Sequence, residues 1–446
     1  MDFEKIGLRV PKILLPKNGI DMTKWAVIAC DQYTSQKEYW DEVNKLVNDE
    51  PSTLHLIFPE VYLESEKKNE IVCNINKNMD EYIENGTLIE QKEGFIIVDR
   101  KTPSCESRKG MIVALDLEKY DYRENSQTLI RPTEGTIVER LKPRIKIREN
   151  ATMELPHIIV LIDDPEKTVI EPLFEKNLEK IYDFELMMDG GHIKGYKVDD
   201  KDTINQIANN LEKLANPEAF NKKYGVSDKP ILLYAMGDGN HSFATAKSIW
   251  EKLKEEKGGF EAVKNHPARY ALVEIINIHD DGVEIEPIHR VLFNINPNNV
   301  LEAMKDFYEK QGSEVTYKKV GTFDEMKKAT KQLKNQNTQV ISFVAGNEYG
   351  VISVNNSQYN LEAETIEVFL NSYVKENKKA KIDYIHGDGV VTDLGSKPNN
   401  IGFYLPDWSK SEIFKTVIFY GVYPRKTFSI GHAGDKKYYV ECRKIV

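Results

Sequence analysis

The sequence predicts a mixed α/β protein, and three observations carry that reading. Short apolar runs such as Ile231–Met236 (ILLYAM) and His157–Ile162 (HIIVLI) have strand length and composition. Between them lie segments of helical period, for example Asp202–Leu214 with Ile204, Ile207, Leu211 and Leu214 on one face. Turn-forming Gly, Asp and Pro residues separate the two kinds of segment. At 446 residues, 40% hydrophobic and 30% charged, the chain is long for a single core. The expectation is a main α/β unit over 1–297, divisible at 1–130 and 131–297, and a smaller α+β unit over 298–446.

In chain order, Trp25–Cys30 (WAVIAC) reads as a buried strand emptying into Asp31-Gln32-Tyr33-Thr34-Ser35, with a helix from Glu38. Gly94–Arg100 and Gly110–Leu117 read as paired strands, and His157–Ile162 as a strand closed by Asp163-Asp164-Pro165. Phe184–Val198 reads as a hairpin turning at Asp189-Gly190-Gly191, residues suited to positive φ. After the helix over 202–214 come strand Ile231–Met236, helix Ser242–Leu253 and a long strand Ala268–Ile278. A boundary is expected near Asn294-Ile295-Asn296-Pro297, followed by a helix, a strand over 339–354 and a helix over 362–375. His279-Asp280-Asp281-Gly282 and His386-Gly387-Asp388-Gly389 read as turns.

Composition excludes several functions. No apolar run reaches the roughly 18 residues of a membrane span. The N-terminus lacks the basic start and apolar stretch of a secretory signal, so a cytoplasmic location is expected. A net charge of −10 argues against a nucleic-acid partner, because such binding rests on neutralising phosphates. Cys30, Cys73, Cys105 and Cys442 are widely spaced with no CxxC pair, which gives neither a zinc ribbon nor a disulfide framework. The expected partner is a small-molecule substrate, and a homo-oligomer stays open.

The segment with the most chemistry is Gly237-Asp238-Gly239-Asn240-His241-Ser242, set between a strand and the helix containing Phe243, Ala246, Trp250 and Leu253. A helix start offers unpaired N–H groups and a partial positive charge, which suit phosphate. Gly237 and Gly239 let the backbone bend and approach a ligand. Asp238, Asn240, His241 and Ser242 add a carboxylate, an amide, an imidazole and a hydroxyl. The loop is no Walker A motif, and Ser242 stands at the third glycine of GxGxxG. The alternative is a tight strand–helix turn capped by Ser or Asn.

GDGNHSFATAK is similar to the DGHHRYETA signature of the domain of unknown function 1015 family. WAVIACDQYTSQKEYW, RPTEGTIVERLKPRIKIREN, PIHRVLF and PRKTFSIG extend the resemblance over nearly the whole chain. The family's loop in turn resembles that of free serine kinases, whose architecture is shared with ParB and sulfiredoxin. The resemblance implies a ParB/sulfiredoxin-like core with additional α+β units. It implies phosphoryl transfer to a hydroxyl such as that of L-serine from ATP, ADP or pyrophosphate, with Mg2+ and with Asp238 near the phosphates and the metal. Asn240 stands where the family has the first loop histidine, and Ser242 where it has arginine. The second change removes a bidentate phosphate clamp.

Glu134, in Arg131-Pro132-Thr133-Glu134-Gly135-Thr136, is the candidate general base, with a surface turn as the alternative. Arg140, Arg144 and Arg148, four apart, share a side whether helical or extended and could face phosphate or solvent. His289 and Arg290 could clamp a carboxylate or phosphate, and Asp31 and Tyr33 follow a strand at a position common for ligand contacts. Catalysis is therefore expected from Glu134, Asp238 and His241, phosphate binding from Gly237, Gly239, Asn240 and Ser242, and substrate binding from Arg140, Arg148, His289, Arg290, Asp31 and Tyr33. The alternative function is a nucleotide-binding or nucleotide-hydrolysing regulator without a small acceptor. A sulfiredoxin-like reaction would need a thiol near the loop, and the cysteine closest in sequence is Cys105.

Overall fold

The near-continuous apolar runs require strands buried on both faces, and the computed structural model supplies that setting. It describes residues 1–446 apart from Glu124 and Gln336. The chain divides into two units: Met1–Glu284 with Val417–Gly421 and Gly431–Val446, and Ile285–Thr416 with Val422–Ile430.

In the first unit the main path of the central sheet runs through β1 (Phe95–Lys101), β2 (Arg108–Asp116), β3 (Ile130–Arg131), β4 (Ile159–Ile162), β5 (Lys180–Glu185), β6 (His192–Val198), β7 (Tyr234–Asp238) and β8 (Tyr270–Asn277). They lie in the order β5-β6-β1-β2-β8-β4-β7-β3. The pairs are antiparallel except β4 with β8 and β7 with β3, so the sheet is mixed. The expected 94–100/110–117 pair and the 184–198 hairpin both form.

Successive residues of one strand serve opposite cores. Phe95 and Ile97 pack with Ile204, Ile207 and Leu211 of helix α4 (Lys201–Leu214) and with Phe243 and Trp250 of α5 (Asn240–Glu256). Ile96 and Val98 pack on the other side with Trp40 and Val43 of α1 (Lys37–Val47) and Ile75 and Met79 of α2 (Lys68–Glu84). Helix α3 (Val138–Arg148) packs on α5. The strand expected at 25–30 shrinks to Val27–Ile28, because Trp25 ends a helical turn capped by Asp21. That short strand pairs with Tyr438–Tyr439.

The second unit contains β9 (Ile285–Phe293), β10 (Glu314–Val320), β11 (Thr338–Ala345), β12 (Glu348–Asn355), β13 (Lys381–His386), β14 (Asn400–Tyr404) and β15 (Phe428–Ile430). The order is antiparallel β10-β12-β11-β14-β9-β13, with β15 on the first residues of β9. Helices α6 (Pro297–Glu309) and α8 (Glu362–Glu376) cover one face, and α7 (Phe323–Leu333) and α9 (Asp388–Gly395) the other.

Further features differ from the sequence expectation. The division lies at Glu284/Ile285 and not at 297, because β9 hydrogen-bonds within the second sheet and Asn296 caps α6, accepting from Asn298 N at 3.0 Å. Residues 431–446, expected in the second unit, join the first through pairing of Tyr438–Tyr439 and Arg443–Lys444. The run over 339–354 is two strands folded at Gly346-Asn347, with Ala345 opposite Glu348 and Gly346 at φ +59°. The turn reading at 386–389 also changes, since β13 ends at His386 and α9 starts at Asp388. Among the described residues, no helix is long and apolar enough to cross a membrane.

Candidate functional site

Adjacent parallel strands deliver two loops to one sheet end. Tyr234 and Ala235 of β7 lie opposite Ile130 and Arg131 of β3, so Pro132–Ile137 and the 237–242 loop leave side by side. Thr133 Oγ1 donates to Met236 O at 2.7 Å, and Ile137 N donates to His241 Nε2 at 3.4 Å. Glu134, half-buried, lies between those two contacts.

A bulge aims the loop. Ile159 pairs with Asp238 and Val160 with Met236, which leaves Gly237 as the extra residue. Gly239 follows at φ +76°, and a Cβ there would lie 3.0 Å from Ile158 Cα. Gly239→Ala therefore meets both an unfavourable backbone and a crowded neighbour. It is expected to cost about 1–3 kcal/mol in chemical denaturation and to weaken ligand binding.

Helix α5 starts at Asn240, and its cap, Gly239, has no side chain to accept the first N–H groups. Asn240 Oδ1 is buried and has no hydrogen-bond partner among the described residues. Asp238 Oδ1 accepts from Gly239 N at 2.8 Å, and Oδ2 lies 3.1 Å from Lys436 Nζ. Burial pushes this carboxyl up, but Lys436, the Gly239 N–H and the nearby His157 outweigh it and hold it below the usual carboxylate range.

Around this pair stand residues that the sequence reading missed. His157 Nδ1 lies 2.8 Å from Tyr439 Oη, and its Nε2 is 3.9 Å from Asp31 Oδ2. A cavity of about 130 Å³ is lined by Ser242 and Thr245 of α5 together with His157, Tyr439, Glu60 and Arg144. Burial, the largest influence, leaves the Glu60 carboxyl raised despite its ion pair with Arg144. Cys30 is the cysteine lining this cavity. Burial, reinforced by Asp31 and Glu60, pushes its thiol well up, so it is no ready thiolate.

The other sequence candidates are distributed. Asp31 joins the cluster through His157, whereas the Tyr33 ring stacks on Tyr39 at 3.9 Å between centroids. The stripe on α3 splits: Arg140 is exposed, Arg144 pairs with Glu60, and Arg148 lies 2.5 Å from Glu154. His289 and Arg290 belong to the second unit. There His289 Nδ1 accepts from Leu405 N at 3.0 Å and Nε2 faces Asp388 Oδ1 at 3.0 Å. Arg290, fully buried, pairs with Glu367 at 3.2 Å and donates to Lys426 O at 2.8 Å. The pair thus has structural partners at hand.

Glu60, His157, Lys436 and Tyr439 escape a sequence reading because no motif marks them. Only Pro59 before Glu60, and His157 at the head of an apolar run, hint at a fixed position.

Comparison with known proteins gives a family. The profile described as "Protein of unknown function (DUF1015)" matches residues 14–378. Among solved structures, the chain is similar to a mutant free serine kinase in complex with AMP, at 13% identity and TM-score 0.40, over 75% of this chain and 92% of that one. A second such mutant, in complex with ADP, gives 13% identity and TM-score 0.40 over 77% and 95%. SbnI with a C-terminal truncation, from Staphylococcus aureus, gives 10% and 0.34 over 72% and 82%. No curated protein matches the chain.

Proposed function

The chain belongs to the DUF1015 family, and from that premise we propose that it is a small-molecule phosphotransferase acting on a hydroxyl such as that of L-serine, with ATP, ADP or pyrophosphate as donor. The observation that supports this reading is the ionised Asp238 held beside the uncapped start of α5, with the Glu134 loop leaving the neighbouring parallel strand. Phosphoryl transfer needs positioning and charge stabilisation more than covalent help from the protein.

In this reading the N–H groups at the start of α5 bind phosphate oxygens. Glu134 takes the proton of the acceptor hydroxyl as its oxygen bonds to phosphorus and the donor's bridging P–O bond breaks. His241 balances charge on the transferred group. Asp238 suits a magnesium ion held mainly by the ligand's phosphates, since it is ionised and offers one carboxylate. Bound magnesium would neutralise donor phosphate charge; Lys436 at 3.1 Å is the cation that already shares Asp238.

Phosphorus NMR of the protein with magnesium and L-serine, offered each donor in turn, tests the reading. A phosphoserine signal is expected. No new phosphate ester with any donor overturns it in favour of nucleotide binding without a small acceptor. Glu134→Gln is expected to lower kcat about a hundredfold or more while donor affinity, measured by calorimetry, stays within about threefold.

Lys436 acts on the reaction through Asp238. The Asp238 carboxyl is depressed in the folded protein, so its stabilising contribution is present above the unfolded value of about 3.9 and is lost as pH falls through the folded pKa. Lys436→Met removes the leading depressing influence. The acidic limb of the pH–rate profile should then move to higher pH, while an unmoved limb would mean that Asp238 ionisation does not limit turnover.

A further inference from the structure

We infer that the acceptor of this reaction carries a compact apolar group that occupies the cavity beside α5. The inference rests on the phosphotransfer reading for the word acceptor, and on the cavity itself for the apolar group. The cavity opens beside Ser242 and Thr245, on the first turns of the helix whose start is the proposed phosphate site. Its other walls are Leu56, Phe58, Ile75, Met79, Ile147 and Met153.

The ion pairs on its wall are closed on themselves: Glu60 pairs with Arg144, and Arg148 lies 2.5 Å from Glu154. His157 has Tyr439 Oη at 2.8 Å. A polar side chain entering this space would meet ions that are engaged with one another and an aliphatic and thioether surface. It would give up its own hydration with few partners in return.

Size narrows the occupant. A cavity of about 150 Å³ lined by Leu, Ile and Phe holds benzene. This cavity, at about 130 Å³, matches a branched aliphatic or small aromatic group. The hydroxymethyl group of serine leaves most of the space unfilled. A β-hydroxy acid with an isopropyl or phenyl group suits both the cavity and the transfer chemistry. The expected advantage over serine is about tenfold to a hundredfold in kcat/KM, in line with pocket discrimination by a few carbon atoms.

The full-length protein is tested with L-serine, β-hydroxyleucine and β-phenylserine in two assays. Saturation-transfer NMR without donor reports binding; phosphorus NMR with magnesium and each donor reports transfer. β-Hydroxyleucine should bind at least about tenfold more tightly than serine. Ala151→Leu, at a cavity-lining position, should erase that preference, and Met79→Ala should shift it toward β-phenylserine. Thermal unfolding of both variants establishes that they are folded, and the two substitutions move the preference in opposite senses. Preferential binding without transfer from any donor would sustain the apolar occupant and overturn phosphotransfer. Transfer to serine with a preference neither variant alters would overturn the inference and leave phosphotransfer standing. Absence of binding by both hydroxy acids would also overturn the inference.

Discussion

Asp238→Ala is expected to lower turnover by about a hundredfold to a thousandfold, the scale seen when one preorganised electrostatic partner of a reacting group is removed. Asp238 is the carboxylate at the junction of the bulged β7 end and α5, and both its oxygens are held, by Gly239 N and by Lys436. Because it is fixed before ligand arrives, little reorganisation accompanies the reaction. Alanine removes that charge and the Asp238–Lys436 contact, so donor binding changes as well. Phosphorus NMR time courses read the rate, and thermal unfolding shows that the variant is folded. A rate within about threefold of the parent would remove Asp238 from the reaction.

Lys437→Met should have the largest effect on stability, a loss of about 3–5 kcal/mol. Lys437 is 2% exposed, with Glu274 at 3.0 Å and Glu441 at 3.3 Å, and both glutamates are buried as well. Tyr182 Oη adds a hydrogen bond to Glu441 at 2.5 Å. For Glu274 burial works upward, yet Lys437, Arg108 and Arg100 outweigh it and keep the carboxyl depressed. Without the ammonium group, two carboxylates share an apolar interior with too little positive charge. Glu274 gives stability above its unfolded value of about 4.3, lost as pH falls through its folded pKa. In the variant Glu274 loses the leading influence that depresses it, so the loss should be greatest at neutral and alkaline pH and shrink toward pH 4. Urea denaturation across that range reads both effects, and a loss below about 1 kcal/mol at pH 8 would contradict an ionised network.

Local chemistry made parts of the molecule legible in advance. The hairpin at Asp189-Gly190-Gly191 and the helix over 201–214 need only neighbouring residues, and both form where expected. The strand–loop–helix at 231–253 is equally local, though its strand runs on to Asp238 and its helix starts two residues sooner, at Asn240. The bulge at Gly237 was hidden because it is a property of pairing with Ile159, far along the chain. The 338–355 hairpin was hidden for another reason: its two halves are both apolar, and the two-residue turn between them was outweighed by the run. His157, Lys436 and Tyr439 reach the site only through tertiary pairing, and single residues of ordinary type carry no periodic signal. Arg290 illustrates the opposite failure, since its neighbours in sequence suggested a clamp while its guanidinium is buried against Glu367 and backbone carbonyls.

The return of residues 431–446 to the first unit has a consequence for how the protein is made. Val27–Ile28 waits for Tyr438–Tyr439, and Asp238 waits for Lys436, so an emerging nascent chain cannot finish its first unit while the second is still being translated. The Val27–Ile28 strand would stay an unpaired edge for most of synthesis, the kind of template that other chains can add to. A product cut short before residue 436 would lack the ammonium group that lies beside Asp238 and would keep that edge exposed.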